Sequence, residues 1–280
     1  MTTQGGTGQG MTIKGKRALI TGGSSGIGFA IAPALLAKGA AGIAISGRRS
    51  AVVNDAVQQL SKAGGGKVFG IAADVGTAEG RAATLDQALA ALGGLDILIN
   101  NAGGVRAGRL EQMPEADILK MIEVDLVAPI LLTRAALPAL RASGDAVVIN
   151  VSSGLGLVGA PFYAAYGAVK AGLGHFGESL RRELKGEGIH VMTVYPGGTD
   201  TPMMKSSRAG AELGVTREPA SAVADATIDG IERGAFDVIR GGEARAQSIA
   251  LNRSNPAALD ERFLGLKPAF EAAVKDHSAL

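Results

Sequence analysis

From Lys16 onward, short unbroken apolar runs alternate with longer stretches of helical periodicity. The runs Arg17–Thr21, Gly42–Ser46, Lys67–Ala72, Leu95–Asn100, Ala146–Val151 and Ile189–Tyr195, with a last short one at Phe236–Ile239, predict strands. Between them, Ile27–Lys38 (closed by Gly39), Ser50–Ala63, Ala78–Leu92, Ala116–Leu140, Tyr163–Lys185 and Pro219–Arg233 predict helices. The strand runs are continuous Val, Ile, Leu and Ala rather than alternating, as expected where both faces of a sheet are covered. Strand–helix repetition at this spacing calls for right-handed crossovers and an α/β fold, a doubly wound parallel sheet of about seven strands with helices on both faces. One local rule is broken. Pro33 falls inside the first helix, where a lost backbone donor predicts a kink costing about 3 kcal/mol unless packing compensates.

No linker or internal repeat divides this pattern, so residues 13–280 read as one domain. Residues 1–12 carry almost no apolar periodicity and read as a disordered Gly/Thr/Gln tail. At 280 residues and 46% apolar composition the chain can bury a sizeable core. It holds no cysteine, which excludes disulfides, thiolate nucleophiles and Cys-ligated zinc and makes a reducing cytoplasm the expected location. The net charge of +2 lacks the basic surplus of a nucleic-acid binder. No n-region and h-region pair predicts a signal peptide. The long uncharged stretch Ala146–Val169 contains Asn150, Ser152, Ser153, Pro161 and several glycines, so it reads as a buried strand and loop rather than a membrane span.

Chemistry enters at the first strand–helix turn, Thr21-Gly22-Gly23-Ser24-Ser25-Gly26-Ile27-Gly28. Glycines there let the chain turn sharply and bring its amides to a phosphate, while the helix adds its positive end. Placement directly after the first strand makes this a dinucleotide-binding (Rossmann) turn, with Gly22, Ser24, Ser25, Gly26, Ile27 and Gly28 as cofactor residues. The choice of nucleotide is read at the end of the second strand. NAD readers carry a carboxylate there, whereas this chain has Ser46-Gly47-Arg48-Arg49. Two guanidiniums, Arg48 and Arg49, suit a 2′-phosphate and point to NADP(H) over NAD(H).

Three further groups follow the later strands: Asn100-Asn101-Ala102-Gly103, Ser152-Ser153, and Tyr166 with Lys170 four residues on. On a helix, residues i and i+4 share a face, so Lys170 stands beside Tyr166. A neighbouring ammonium, and a nicotinamide cation when oxidised cofactor is bound, favour the phenolate and are expected to bring its pKa down, letting Tyr166 pass a proton to or from a substrate oxygen. Ser153 would hydrogen-bond that same oxygen and stabilise the developing charge. Tyr163 has no lysine partner. Ser152 reads as a loop-orienting neighbour.

Taken together, TGxxxGxG at Thr21–Gly28, NNAG at Asn100–Gly103, a serine thirteen residues before a tyrosine, YxxxK, and Pro196-Gly197-Gly198-Thr199-Asp200-Thr201 resemble the short-chain dehydrogenase/reductase family in its compact single-domain branch. The likeness runs from about Lys14 to Ile239. It implies an NADP(H)-dependent oxidoreductase that interconverts a carbonyl and a secondary alcohol by hydride transfer. It also implies that Lys170 binds the nicotinamide ribose and that Asp74 and Val75 meet the adenine. The backbone of Asn101, Ala102 and Gly103 would pass the adenosine ribose, and Pro196, Gly197, Thr199 and Thr201 would serve the carboxamide and pyrophosphate. The family often has an asparagine that holds a water linking the lysine to solvent; here the matching residue is Asp125, whose carboxylate can accept the same hydrogen bonds yet would counter the field of Lys170 on Tyr166.

By the same resemblance, residues 200–217 form a substrate flap. Met203, Met204 and Leu213 make it partly apolar, Lys205 and Arg208 add positive charge, and Val158, Phe162 and Tyr163 stand opposite. The expected substrate is a small or medium, mainly apolar carbonyl or alcohol, with room for an acidic group. Residues 241–280, with a turn at Asn252–Pro256 and a final amphipathic helix, extend past the family core to cover the pocket or build an interface. A homodimer or homotetramer is expected through the long helices. His175, His190 and His277 are scattered, and no metal is required. The competing reading is a catalytically silent dinucleotide-binding regulatory protein of the same fold. An epimerase or dehydratase of the extended relatives is disfavoured, since those carry a TGxxGxxG spacing and a larger C-terminal domain.

Overall fold

The computed structural model describes residues 3–4, 8–62, 64 and 66–280. Its seven parallel strands are β1 (Arg17–Thr21), β2 (Gly42–Gly47), β3 (Lys67–Ala72), β4 (Ile97–Asn100), β5 (Ala146–Val151), β6 (Ile189–Tyr195) and β7 (Asp237–Ile239). They stand in the order β7-β6-β5-β4-β1-β2-β3. The helices are α1 (Gly26–Ala37), α2 (Ser50–Lys62), α3 (Ala78–Leu92), α4 (Glu115–Ile122), α5 (Ala128–Ser143), α6 (Ala164–Glu183), α7 (Ala220–Arg233), α8 (Gly242–Ser254) and α9 (Pro256–Val274). The doubly wound parallel sheet read from the sequence is therefore present. Among the described residues no helix is long and apolar enough to cross a membrane.

Alternation along each strand builds two cores. Ala18, Ile20, Ile43, Ile45, Ile97, Ile99, Val147 and Ile149 pack with α1, α2 and α7 on one face. Their neighbours Leu19, Ala44, Leu98 and Val148 pack with α3, α5 and α6 on the other. Both faces are dry, which is why the strand runs show no polar alternation. A third cluster around Val105, Met121, Tyr163, Tyr166, Leu213 and Phe270 lies at the C-terminal ends of the strands.

Three expectations are corrected: the long helix, the C-terminal extension and the N-terminal tail. The long helix read as Ala116–Leu140 is α4, a π-helical stretch at Glu123–Val127, and α5. Pro129 has no N–H to give the carbonyl of Asp125 four residues back, and the ladder slips so that Ala128 N–H reaches Glu123 O. Helix α1 is continuous through Pro33. Residues 241–280 hold two helices rather than one, separated at Asn255, whose side chain accepts from Ala258 N–H at 3.2 Å and starts α9.

The third correction concerns residues 1–12, expected as a disordered tail. Thr3–Gln4 pairs antiparallel with β7, Gly8 N–H donates to Gly234 O at 2.7 Å, and Met11 is buried. An edge strand offers unpaired amides to any passing backbone, and glycine lets that backbone lie close: a Cβ on Gly10 would fall 2.1 Å from Glu232 O. The rest of that expectation, residues 1, 2 and 5–7, lies outside the described residues, as does Ala63 at the predicted end of the second helix.

Candidate active site

Strand β1 pairs with β2 on one side and β4 on the other, so the chain's crossovers leave in opposite directions on either side of it. The crevice this opens at the carboxyl ends of the strands is the usual ligand position in open α/β sheets. A cavity of about 340 Å³ occupies it.

Its floor is backbone held by two side chains, Thr21 and Asn101. Gly22 and Gly26 have φ of +63° and +57°, and a Cβ on Gly22 would lie 2.8 Å from the Cα of Ala102. Only glycine allows that turn and that approach. Thr21 Oγ1 accepts from the Asn101 and Ala102 amides at 3.0 and 3.1 Å, and Asn101 Nδ2 donates to Thr21 O and Gly22 O at 2.9 and 3.1 Å. The two turns are thereby locked to each other. Helix α1 starts at this point with no side-chain cap on its N-terminus and no acid in its first turn. Its free amides and positive end face the cavity, open to an anion.

Helix α6 carries the tyrosine and lysine expected to do the chemistry. Tyr163 precedes it, reached through Phe162, which holds the left-handed φ of +69° that a non-glycine residue seldom adopts. Tyr166 and Lys170 are buried one turn apart and both line the cavity, with the Lys170 Nζ 5.7 Å from the centre of the Tyr166 ring. Lys170 Nζ donates to Val151 O at 3.2 Å, and Ser152 Oγ donates to Lys170 O at 2.7 Å. Ser153, whose Oγ accepts from Leu155 N–H at 3.2 Å, stands beside the phenol.

Asp125 is wholly buried in the π-helical stretch. Its Oδ1 lies 2.9 Å from Lys170 Nζ and its Oδ2 accepts from Gly104 N–H at 3.0 Å. A Cβ on Gly103 would come within 2.6 Å of that Oδ1, so the glycine of the NNAG turn makes room for the ion pair. Burial disfavours the Lys170 ammonium, but Asp125 and Tyr166 outweigh it and hold the lysine above its ordinary pKa. Burial likewise raises the Asp125 carboxyl above its usual range, against the pull of Lys170 and the Gly104 amide, and the 2.9 Å contact is what holds the two groups together.

The electrostatics correct one expectation. Burial is the largest influence on Tyr166 and raises its phenol above the ordinary value; Asp125 adds to the rise, while Lys170 and Ser153 pull against it without winning. The lysine does act in the expected direction. It does not prevail, because the burial of the phenol outweighs it and Asp125 adds to the rise.

Of the cofactor residues named from the sequence, Gly22, Ser24, Ser25, Gly26, Ile27, Arg48, Arg49, Asp74, Val75, Asn101, Ala102, Gly103, Pro196, Gly197, Thr199 and Thr201 all line the cavity. Gly28 does not. It is buried where a Cβ would strike Asn101 Nδ2 at 2.4 Å, so it lets α1 approach the NNAG turn. Arg48 and Arg49 are exposed at one end and form no salt bridge among the described residues. Burial works against the Asp74 carboxylate, yet the Gly76 amide, Lys120 and Arg48 together hold it below its usual range. Ser46 Oγ, fully buried below this end, has no hydrogen-bond partner among the described residues.

At the other end the wall is Leu155, Tyr163, Met203, Met204, Ala209, Val215, Phe270 and Leu280. Val158, Phe162 and Leu213, expected there, instead pack away from the cavity, and Lys205 and Arg208 face solvent. Sequence reasoning missed Arg245, Phe270, His277 and Leu280, all from residues 241–280. His277 is buried, with Nδ1 3.0 Å from Ser206 Oγ, and Ser278–Ala279 pairs with Val105–Arg106 to hold the chain's end across the cavity. No local pattern announces such a return; pairing across 172 positions is a tertiary event.

A family model described as short chain dehydrogenase matches residues 16–212. A short chain dehydrogenase of Pseudocercospora fijiensis is 39% identical over 193 residues, a match spanning 68% of this chain and 62% of that protein. The 3-oxoacyl-acyl-carrier-protein reductase FabG of Vibrio cholerae is 36% identical over 225 residues, 76% of this chain and 90% of that one. Among solved structures, a short chain dehydrogenase/reductase from Burkholderia phymatum in complex with NAD superposes with a TM-score of 0.80 at 22% identity, covering 89% of this chain and 96% of that one. The L-sorbose reductase from Gluconobacter frateurii complexed with NADPH and L-sorbose gives 0.75 at 26% identity, covering 82% and 97%.

Proposed function

The chain belongs to the short-chain dehydrogenase family, and from that premise we propose that it interconverts a carbonyl and a secondary alcohol with NADP(H), Tyr166 acting as the acid and base. The observation that carries this reading is the buried Tyr166–Lys170–Asp125 arrangement opening on the cavity beside Ser153.

The residues present fit a dinucleotide. An uncapped helix end, two left-handed glycines and the locked NNAG turn leave backbone amides for a pyrophosphate. At the end of β2 the chain offers Arg48 and Arg49 and no carboxylate, the donor set for a further phosphate on the adenosine ribose. Relatives of this fold carry either nucleotide, NAD in one solved structure and NADPH in another, so the preference for NADP(H) rests on these two arginines.

When bound, the nicotinamide supplies or accepts the hydride. The protein's own part is to hold the substrate oxygen and move a proton. Ser153 and Tyr166 would donate hydrogen bonds to that oxygen; Tyr166 gives up its proton as negative charge develops there, or takes one back in the reverse direction. Lys170 favours the phenolate so formed, and Asp125 keeps Lys170 in place and charged. Residues 200–217 and 241–280 close the substrate end of the cavity and exclude water. A homo-oligomer built through α5 and α6 is part of the same reading.

Replacing Tyr166 with Phe removes the transferable proton and little else. The expected result is a fall in kcat of about a thousandfold on a carbonyl panel with NADPH, with NADPH affinity by fluorescence titration changed less than twofold. Equal turnover by Tyr166→Phe and the parent would refute the assignment. Binding of NADPH without turnover of any carbonyl would favour the silent regulatory protein.

A further inference from the structure

Among the described residues Arg245 has no charged partner. It sits on α8, outside the stretch matched by the family model, and its side chain reaches the cavity wall directly over Gly154, the residue after Ser153. The contact is close: a Cβ on Gly154 would meet the guanidinium carbon at 2.7 Å. One of the five N–H groups donates to Gly154 O at 3.2 Å. Burial lowers its pKa, and no neighbouring carboxylate raises it again.

Every other cation lining the cavity is accounted for. Lys170 pairs with Asp125 and Lys120 with Asp74, the one acid among the lining residues. Arg48 and Arg49 lie at the adenosine end of the proposed cofactor site. Arg245, half-buried, is the remaining cation of a lining that also includes Leu155, Met203, Met204 and Phe270, and its contact with Gly154 holds it next to Ser153.

Resting on the reading above, we propose that Arg245 is a specificity-determining residue that anchors a carboxylate on the substrate, and that the substrate is therefore an oxo acid or the matching hydroxy acid with an apolar remainder. The planar guanidinium fork matches a carboxylate with two parallel hydrogen bonds, and the adjacency of Gly154 to Ser153 places that anion a few carbons from the reacting oxygen. The positive charge expected on the flap thus comes from the other side, since Lys205 and Arg208 point outward.

The experiment pairs 2-, 3- and 4-oxo acids of five to eight carbons with their methyl esters, assayed with NADPH on the parent, Arg245→Met and Arg245→Lys. The parent should prefer at least one acid over its ester by tenfold or more in kcat/KM. Arg245→Met should cost that acid about 10- to 100-fold, mainly in KM, while leaving the esters and the NADPH Kd within twofold; Arg245→Lys should restore part of the preference. A second reading avoids turnover: hexanoate, but not hexanamide, should raise the Tm of the NADPH-loaded parent and not that of loaded Arg245→Met. Turnover of esters with no acid preference in the parent would overturn the proposal while sparing the dehydrogenase reading. Loss of NADPH affinity in Arg245→Met would also overturn it, assigning Arg245 to the cofactor. Failure of every carbonyl, acid or ester, together with failure to bind NADPH, would instead sink the parent reading.

Discussion

The two ends of the cleft hold positive charge in opposite ways. At the end beside Tyr166, Lys170 is buried and meets the wholly buried Asp125 at 2.9 Å, with the Gly104 amide on the carboxylate's other oxygen. At the far end Arg48 and Arg49 are exposed and form no salt bridge among the described residues. A buried charge must be compensated before any ligand arrives, because desolvation acts in the free protein too. An exposed guanidinium keeps its water and can wait. The difference separates a charge that the fold itself must balance from one that stays free to meet a ligand.

That distinction breaks first at Asp125. Replacing it with Leu leaves a buried ammonium facing a hydrocarbon, and breaking a buried pair this way costs about 3–5 kcal/mol. Thermal melts should show a drop of about 10 °C for a chain of this size. Asp125→Asn keeps an acceptor for Gly104 N–H and should cost much less. Its signature is in the pH profile. The Asp125 carboxylate raises the Tyr166 pKa, so its removal lowers that pKa and moves the acid limb of alcohol oxidation to lower pH. A Leu variant as stable as the parent would show that the pair contributes nothing to the fold.

The exposed end behaves the other way. Changing Arg48 and Arg49 together to Ser should leave the Tm within about 1 °C, since exposed charges with no partner contribute little. The same double variant should weaken NADPH binding by about 10- to 100-fold, the worth of hydrogen bonds between charged groups, while NADH binding changes less than twofold. Equal losses for the two nucleotides would remove the 2′-phosphate from these residues.

How much of this was legible beforehand follows from how local each cause is. The glycine turn, the NNAG turn and the Tyr166–Lys170 pair are written in neighbouring letters, and strand alternation with helical spacing is enough to place them at one end of one sheet. Asp125 was found by counting. What counting missed was Pro129, whose absent N–H slips the helix into π geometry at that residue. Arg245 and His277 were invisible for a different reason. Nothing within ten residues of either predicts that α8 folds over Gly154 or that the chain's end returns to pair with Val105–Arg106. The N-terminal residues misled because a glycine-rich, uncharged segment has the composition of a coil, yet it needs only backbone to follow an open sheet edge.

A third pair, at the opposite end of the sheet from the cleft, sharpens the comparison with the least effect. Asp96, just before β4, receives Arg17 Nε at 2.7 Å and Nη2 at 2.9 Å, the Arg17 amide at 2.8 Å, and Ser143 Oγ at 2.7 Å. Burial works against its carboxylate, but these four donors hold its pKa down at about 2, against 3.8 for a free aspartate. Because the folded value is the lower one, the stabilisation is fully present above about pH 5. It is lost as the pH falls through 3.8 towards 2, where folded and unfolded chains bind the same proton. A shift of this size corresponds to about 2 kcal/mol. Urea melts should therefore find Asp96→Asn less stable than the parent by about that amount at pH 7, with the gap narrowing steadily below pH 4. A gap of equal size at pH 7 and pH 3 would mean that the loss comes from packing or from the Ser143 and Arg17 hydrogen bonds alone. Asp96 would then be a polar anchor whose charge is incidental, unlike that of Asp125.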